Sequence, residues 1–360
     1  MKKAFLISAF ISLSFVGFGQ CPSGSIDLET QADVDNFSIN YPGCTELRNQ
    51  LNVGDIFVDT DITNLNGLSQ ITRVGIDNNG LGGGLFINKT SITDLSGLEN
   101  LEYVGGRFWV LESDITNLSG LDNLTTIKNG VTFQSNPFLT NFNGLPPEVT
   151  IEKGFFIFFN PLLQNFDGLN IIGEGDSYTV RITISGNQGL QNLIGLEGFE
   201  TGERLKLLNN NNLVSISQVS NFDISTSEAI LDIIGNNSLS ECNIQAICNV
   251  LDDPDVTVQI SDNAVNCNSI SEVEESCILN GNDFSLSERL IIYPNPVSSI
   301  LQIYTSENIL IQNTIVYSSL GEELISTGER TVDFSNFSTG VYFVEVVTDH
   351  GNITKKIVKE

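Results

Sequence analysis

The sequence is poor in the side chains on which enzyme active sites most often depend. Its 360 residues include a single histidine, His350, so the rest of the chain can form no Ser-His or Cys-His pair. It contains no Gly-x-Ser-x-Gly motif, no phosphate-binding loop and no zinc motif. We therefore expect a protein without catalytic activity and without a bound cofactor or metal.

Basic side chains are also scarce. The 16 lysines and arginines are outnumbered by 44 aspartates and glutamates, which gives a formal net charge of −28. Because phosphate groups are bound by basic surfaces, this balance argues against nucleic acid and anionic lipid as partners. Such acidity keeps an extracellular protein soluble, and it could also attract a basic partner or divalent cations.

Long apolar runs are absent beyond the N-terminus. No stretch of 18 or more apolar residues occurs, so no transmembrane segment is predicted. Residues 1–19 have two lysines near the start, then a short apolar stretch, and end at Gly19, as in a cleaved signal peptide. Lipidation of Cys21 is the weaker alternative, because Gln20 is larger than the residue that normally precedes a lipidated cysteine. The chain is therefore expected to be exported.

What the sequence does contain is a repeated phrase. The clearest copy reads Ile-Thr-Asn-Leu-Ser-Gly-Leu, and successive copies begin 23 to 30 residues apart. A period of this size is typical of a solenoid, in which each repeat forms one coil of a stacked spring. The six copies occupy residues 62–68, 92–98, 115–121, 139–145, 163–169 and 190–196.

A short segment rich in β-branched and aromatic residues recurs with the same period. Since no hairpin turns join these segments, they are predicted to be parallel strands stacked into about nine rungs. The expected fold is all-β, a parallel β-helix or leucine-rich solenoid with one continuous core. The predicted strands are 55–58, 85–88, 108–111, 131–134, 155–159, 180–184, 205–208, 230–234 and 256–260.

An asparagine recurs three residues before the later phrases. Sharp turns leave backbone groups unpaired inside a coil, and a stacked asparagine ladder supplies both donors and acceptors for them. We interpret these asparagines as structural, with Asp59 and Glu112 in the equivalent place of earlier coils. The predicted ladder comprises Asn136, Asn160, Asn187, Asn210 and Asn236.

The asparagines also provide a register for the strands, whose side chains alternate between two faces. Alignment of the rungs on the asparagines directs Phe108, Val110, Phe156 and Phe158 outward. An exposed aromatic patch is unfavourable unless a partner covers it, so these four residues form the candidate protein- or glycan-binding site. The alternatives are a register that is wrong by one residue, or a cover provided by another part of the chain.

The order of strand, asparagine and Leu-x-x-Leu-x-Gly-Leu resembles the receptor L domain, the leucine-rich β-helical module of growth-factor receptor ectodomains and many secreted bacterial proteins. It is also similar to internalin-type leucine-rich repeats. The resemblance covers about residues 40–277, and with its caps the domain is predicted to span 20–277. It implies binding through a face of the solenoid and carries over no catalytic residues.

Six cysteines in an exported chain are expected to form disulfides. Cys21 and Cys44 flank the first coil and are predicted to pair. The other four follow the last repeat, where helices predicted at 243–251 and 269–276 would hold the cysteines of one helix too far apart. The predicted pairs between the helices are Cys242–Cys267 with Cys248–Cys277, or the crossed alternative.

After a predicted linker at 278–289, residues 290–360 change to short alternating strands, as in a small antiparallel β-sandwich. This segment resembles the type A C-terminal sorting domain of the type IX secretion system of Bacteroidetes. The resemblance implies a secretion machinery as partner, removal of the tail, and release or anchoring at the cell surface. The matching residues include Tyr293, Pro294, Asn295, Pro296, Gly340, Tyr342, Lys355 and Lys356.

Three functions are compatible with these features. The first is a secreted or surface-displayed recognition or adhesion protein that binds an extracellular protein or glycan through a solenoid face. The second is a structural surface or matrix protein without a specific ligand. The third is a polysaccharide-acting enzyme with a pair of carboxylates, although no acidic residue recurs at one place on successive predicted strands.

Overall fold

The computed structural model describes residues 21–76, 83–146, 148–169, 180–224, 228–251, 253–281, 290–305, 310–348 and 351–360. The predicted signal peptide at 1–19, residues 282–289 of the predicted linker and His350 lie outside the described residues. The chain divides into two compact units, one up to Ile270 and one from Ser271, and each unit is described by itself.

The first unit is built from short strands that recur with the period of the sequence repeat. In chain order they are β1 (Ile26–Leu28), β2 (Glu46–Leu47), β3 (Leu51–Gly54), β4 (Arg73–Val74), β5 (Leu85–Asn88), β6 (Tyr103–Val104), β7 (Phe108–Leu111), β8 (Thr126–Ile127), β9 (Val131–Gln134), β10 (Thr150–Ile151), β11 (Gly154–Phe158), β12 (Val180–Ser185), β13 (Gly202–Leu208), β14 (Ala229–Ile234) and β15 (Val256–Ser261).

These strands form two parallel sheets that run the length of the unit. The long sheet has the order β1-β3-β5-β7-β9-β11-β12-β13-β14-β15, and the short sheet has the order β10-β8-β6-β4-β2. Every pair between neighbouring strands is parallel. The predicted parallel β-solenoid of about nine rungs is therefore confirmed, whereas the short sheet of two-residue strands was not predicted.

The repeated phrase supplies the core of each coil. In the copy at 115–121, Ile115, Leu118 and Leu121 are at most 1 % exposed, because every third residue points inward. Phenylalanines of strands and phrases pack edge to face within the coil. The ring centroid of Phe142 lies 5.0 Å from that of Phe133 and 5.5 Å from that of Phe166.

The first predicted strand is wrong by four residues. The strand is β3, and the predicted segment 55–58 forms an exposed loop in which Phe57 is 82 % exposed. A carboxylate oxygen of Asp55 accepts a hydrogen bond from the backbone N–H of Phe57 at 2.6 Å, which turns the chain away from the sheet. The apolar composition of 55–58 resembles that of a strand, but the pairing partner of β5 is Leu51–Gly54.

The five predicted ladder asparagines are completely buried and bonded to one another along the solenoid. In each step the side-chain oxygen of one asparagine accepts the backbone N–H of the asparagine one coil earlier, as from Asn160 N to Asn187 Oδ1 at 2.9 Å. The side-chain amide donates to a strand carbonyl of that earlier coil, as from Asn187 Nδ2 to Ile157 O at 3.0 Å. The ladder therefore pairs buried backbone groups that the turns leave open.

The ladder continues beyond the predicted residues. Asn263 extends it at the C-terminal end, where its side-chain oxygen accepts the N–H of Asn236 at 2.9 Å. In the earlier coils Ser113 and Thr90 hold the equivalent place, and Ser113 N donates to Asn136 Oδ1 at 3.0 Å. The prediction that Asp59 and Glu112 hold this place was wrong. Both side chains are exposed, and the ladder residue in the coil of Glu112 is Ser113, one residue later.

The described residues contain four α-helices. They are α1 (Gln31–Asp35), α2 (Phe37–Asn40), α3 (Gln245–Cys248) and α4 (Ile270–Gly281). Compared with the prediction, α3 is shorter, and α4 continues four residues into the predicted linker. No helix in the described parts of the chain has both the length and the apolar composition needed to cross a membrane.

Disulfides tie down both ends of the first unit. Cys21 is bonded to Cys44 and Cys242 to Cys267, with Cα–Cα distances of 4.9 Å and 5.6 Å. Cys248 and Cys277 are disulfide-bonded as well. The bond between Cys242 and Cys267 excludes the crossed alternative.

The second unit is a small antiparallel β structure. Its sheets have the orders β16-β17-β20 and β19-β18-β21-β22, and apolar residues of both, such as Leu301 and Val344, share one core. The predicted antiparallel architecture is confirmed, although β16 and the largely exposed β19 were not predicted. The strands are β16 (Leu290–Tyr293), β17 (Ile300–Thr305), β18 (Ile311–Ser318), β19 (Glu323–Thr327), β20 (Thr331–Asp333), β21 (Gly340–Thr348) and β22 (Gly351–Lys359).

Candidate recognition surface

The outer face of the long sheet carries one side chain from each strand in a row. Because neighbouring parallel strands pair in register, residues of successive coils lie side by side about 5 Å apart. The row at the middle of the face contains aromatic residues in its N-terminal half and polar residues in its C-terminal half. From β3 to β15 it reads Asn52, Phe86, Trp109, Thr132, Phe156, Thr183, Lys206, Asp232 and Gln259.

The aromatic rings of this face are partly exposed and stand in pairs. Phe86 and Trp109 have ring centroids 6.0 Å apart. Phe156 and Phe158, which both project from β11, have nearly parallel rings with centroids 6.4 Å apart. Thr132 lies between Trp109 and Phe156 in this row.

The structure corrects half of the predicted binding site. Phe156 and Phe158 point outward, but Phe108 and Val110 belong to the core, with exposed fractions of 1 % and 0 %. Their neighbours Trp109 and Leu111 occupy the outward positions of β7. Thus Phe108 and Val110 are not available to a partner.

The error comes from the choice of Glu112 as the equivalent of the ladder asparagines. The ladder residue of this coil is Ser113, and a shift of one residue exchanges the two faces of a strand. Since all four residues of β7 are apolar, alternation could not reveal the mistake. The available signal was Ser113 itself, a short polar residue followed by the phrase at 115–121.

A cavity of about 170 Å³ opens at the N-terminal ends of β7 to β12. Here a second outward row consists of Arg107, Gly130, Gly154 and Arg181, so two glycines separate two arginines. Because Gly154 has no side chain, its backbone forms the floor of the cavity. Its lining residues are Arg107, Asn129, Lys153, Gly154, Phe156, Arg181 and Glu203.

Close packing maintains the floor of the cavity. A Cβ atom on Gly154 would lie 2.4 Å from the Cε2 atom of Phe156, so the phenyl ring covers this glycine directly. A Cβ atom on Gly130, which has a φ of +85°, would lie 2.3 Å from the carbonyl oxygen of Gly154. The position of Gly130 therefore requires glycine, and Phe156 forms a wall of the cavity as well as part of the aromatic row.

Positive charge is concentrated around this cavity. Residues 20–277 contain nine lysines and arginines, and five of them project from this part of the long sheet. The guanidinium of Arg107 lies 5.7 Å from the ring centroid of Trp109 and 5.9 Å from that of Phe156. The five basic residues are Arg107, Lys153, Arg181, Arg204 and Lys206.

Only some of these cations are neutralised. Arg181 forms an ion pair with Glu203, and Lys206 forms one with Asp232 at 2.6 Å. The register between β12 and β13 shifts at a β-bulge, where Glu203 is the extra residue. The bulge brings the carboxylate of Glu203 opposite Arg181. We use the name central surface for the side chains of Arg107, Trp109, Lys153, Phe156, Phe158 and Arg181.

Hydrogen bonding raises the pKa of several groups away from the central surface, among them Lys89 and Tyr293. At the corner after β5, the hydrogen bond to Glu112 raises the pKa of Lys89, and Asp59 adds a weaker effect. In the second unit, a hydrogen bond with Tyr304 raises the pKa of Tyr293. Both interactions are structural contacts between neighbouring strands or corners.

The predicted sorting residues lie at the start and the end of the second unit. Asn295 joins the two, because its Nδ2 donates to Lys356 O at 2.9 Å and its Oδ1 accepts the N–H of Val358 at 2.8 Å. The ring of Tyr342 stacks on Phe337 with centroids 5.2 Å apart. Tyr293 ends β16, Pro294, Asn295 and Pro296 follow it, Gly340 and Tyr342 lie on β21, and Lys355 and Lys356 lie on β22.

Residues 291–360 match the family model of the secretion system C-terminal sorting domain. No curated protein matches the chain. The tail directs the protein to type IX secretion, and hence to the cell surface or the extracellular space. The secretion machinery is therefore one partner of the chain.

Proposed function

We propose that this exported protein recognises an extracellular protein or glycan through the central surface of its solenoid. The observation that carries the proposal is the group of outward aromatic residues, Trp109, Phe156 and Phe158, beside a cavity with a glycine floor. Aromatic residues dominate the energetics of many binding interfaces, because they combine a large contact area with few rotatable bonds.

The composition of the outer face supports a localised site. Along the rest of the middle row, Thr183, Lys206, Asp232 and Gln259 are polar, as expected for a sheet face in contact with water. The partly exposed rings from β5 to β11 interrupt that pattern. A cluster of apolar side chains on an otherwise polar face is typical of a contact site.

The finer parts of the proposal rest on the resemblance of the repeat. A receptor L-domain-like solenoid binds through one face, and the outer face of the long sheet is such a face here. Cleavage of a signal peptide after Gly19 would precede type IX export. We propose no catalytic reaction for the chain.

Replacement of Phe156 and Phe158 by serine should weaken binding to the target at least about tenfold. The protein should be exported by a host with a type IX secretion system, purified, and tested on glycan arrays and on whole cells. The Phe57→Ser variant is the matched control, because Phe57 is 82 % exposed but lies in the loop after β3. Both variants should melt within a few degrees of the wild type.

Two outcomes would favour other functions. Binding that is specific but unchanged in the Phe156→Ser/Phe158→Ser variant would move the site away from the central surface. No specific binding by the wild type, together with incorporation into a matrix or surface layer, would favour a structural protein. Release of sugars from a polysaccharide would favour an enzyme instead.

The sorting domain should be removed during export. Mass spectrometry of the culture medium and of the cell-surface fraction should show a mature product that begins at Gln20 and ends near residue 289, because the matching segment begins at Ile291. Deletion of 291–360 should leave the protein inside the cell. Cleavage of the signal peptide in this variant is the control, because it shows that the shortened chain still enters the export pathway. A secreted product that retains Glu360 would contradict removal of the tail.

A further inference from the structure

We infer that the central surface binds an acidic polysaccharide, whose carboxylate or sulfate groups are held by the basic residues around the cavity while its sugar rings stack on the aromatic side chains. This inference rests on the proposed function and specifies its ligand.

The arrangement of the basic residues fits a polymer with regularly spaced anions. Arg107 and Arg181 stand at the two ends of the row that contains Gly130 and Gly154. The backbones of the two arginines are three strand spacings apart, or about 14 Å, and this distance corresponds to several sugar rings of an extended polysaccharide. Lys153 lines the cavity between them. An extended chain along the row would therefore meet cations at both ends and in the middle.

The cations around the cavity are available to a ligand. Within the described parts of the chain, no carboxylate oxygen lies within 4.0 Å of the side-chain nitrogens of Arg107, Lys153 or Arg204. Glu203 forms an ion pair with Arg181. In a chain with a formal net charge of −28, this local excess of positive charge is a reversal of the overall sign. It gives an anionic ligand an attractive site on a protein whose overall charge is negative.

The same residues are placed at some cost to stability. Arg181 and Arg204 lie directly opposite each other on neighbouring strands, where like charges repel. Lys153 has a φ of +66°, a left-handed conformation that is unfavourable for a residue with a Cβ atom. Among the described residues, the buried Nε–H of Arg204 and the buried indole N–H of Trp109 have no acceptor. An anionic ligand would offset the repulsion between the two arginines.

The aromatic residues favour a polysaccharide over an acidic peptide. Phe156 and Phe158 present nearly parallel rings, with an interplanar angle of 10°. The C–H face of a pyranose ring packs flat against such a ring, while its hydroxyl groups remain free for hydrogen bonds. The guanidinium of Arg107, 5.9 Å from the Phe156 centroid, is then next to the stacked sugar and can hold its carboxylate by two parallel hydrogen bonds.

The experiment compares polygalacturonate with its methyl ester, which has the same backbone without the charge. Affinity electrophoresis and calorimetry in metal-free buffer should show that the purified exported protein binds polygalacturonate much more tightly than the ester. The Arg107→Gln/Arg181→Gln variant should lose about tenfold or more in affinity, because charge-assisted hydrogen bonds are removed. Binding of the wild type should weaken as the salt concentration rises.

Two further variants separate binding from folding and from overall charge. Lys153→Gly removes the ammonium group and relieves the left-handed backbone, so it should lose affinity while its melting temperature stays close to that of the wild type. Arg73→Gln removes a cation from β4 on the short sheet, where Arg73 covers the ring of Tyr103, and should bind like the wild type. Arg73→Gln and Lys153→Gly each lower the charge of the protein by one.

The outcomes distinguish this inference from the proposed function. Equal binding of polygalacturonate and its ester, or unchanged binding by the arginine variant, overturns the acidic ligand and leaves recognition by the aromatic residues intact. Equal binding of poly-glutamate, unaffected by Phe156→Ser, shows that charge alone acts and also overturns the inference. If neither polymer binds but Phe156 and Phe158 are required for attachment to cells, the ligand is of another class. If those residues are not required either, the proposed function fails as well.

Discussion

Replacement of Asn187 by alanine should lower the free energy of unfolding of the solenoid by about 3 to 5 kcal/mol. The side chain of Asn187 is completely buried in the middle of the ladder. Its oxygen accepts hydrogen bonds from the backbone and the side chain of Asn160, at 2.9 Å and 3.1 Å. Its amide donates to Ile157 O at 3.0 Å. Alanine would leave these partners buried and unpaired, and each such group costs about 1–3 kcal/mol.

The matched control for this prediction is Asn211→Ala. Asn211 is partly exposed, and its side-chain oxygen accepts a hydrogen bond from Asn237 Nδ2 at 3.2 Å at the surface. Its loss should cost less than about 1 kcal/mol, since water can replace the partner. Denaturant unfolding followed by circular dichroism measures both variants. Equal destabilisation by the two substitutions would show that the ladder contributes no more than a surface asparagine does.

Replacement of Gly120 by alanine should destabilise the solenoid by at least about 4 kcal/mol, and the two causes act together. Gly120 has a φ of +101°, which a residue with a side chain rarely adopts. In addition, a Cβ atom would lie 2.3 Å from the carbonyl carbon and oxygen of Leu95 in the preceding coil. Because those atoms are backbone, the two coils would have to move apart, and their shared hydrogen bonds and core contacts would weaken.

Gly24→Ala is the control for this substitution, because nothing lies within 4 Å of a Cβ atom at that position and its φ is not in the left-handed region. It should leave the midpoint of denaturant unfolding nearly unchanged. Hydrogen exchange of the two coils around Gly120 should also increase in the Gly120→Ala variant. A stable Gly120→Ala protein with unchanged exchange would show that neighbouring coils are not held as closely as their geometry implies.

The repeat allowed the fold to be predicted because its information is local and redundant. Each copy of the phrase, such as 115–121, places apolar residues at every third position, and many copies with one period can be satisfied together only by stacked coils. The ladder asparagines were recognisable for the same reason. The strand at 55–58 was misplaced because it precedes the first phrase, where no earlier copy constrains the alignment.

The candidate site was predicted only in part. Phe156 and Phe158 were found because Asn160, the ladder residue of their coil, is unambiguous. For β7 the ladder residue is Ser113, and the choice of Glu112 exchanged its two faces. Trp109 was missed for this reason. In a strand whose residues are all apolar, pairing with neighbouring strands decides which side chains point outward, and that pairing is not written in the strand itself.

The sequence by itself determined the coiled architecture and the export tail, because both are encoded by residues close together in the chain. Only the tertiary structure decided that Arg107 and Arg181 face each other across Gly130 and Gly154, with Phe156 over the floor. The two arginines are 74 residues apart and share a row because the intervening coils differ in length yet pair in register. Coil length varies in the corners, so sequence spacing does not reveal which outward residues meet. The hydrogen bonds between strands reveal it.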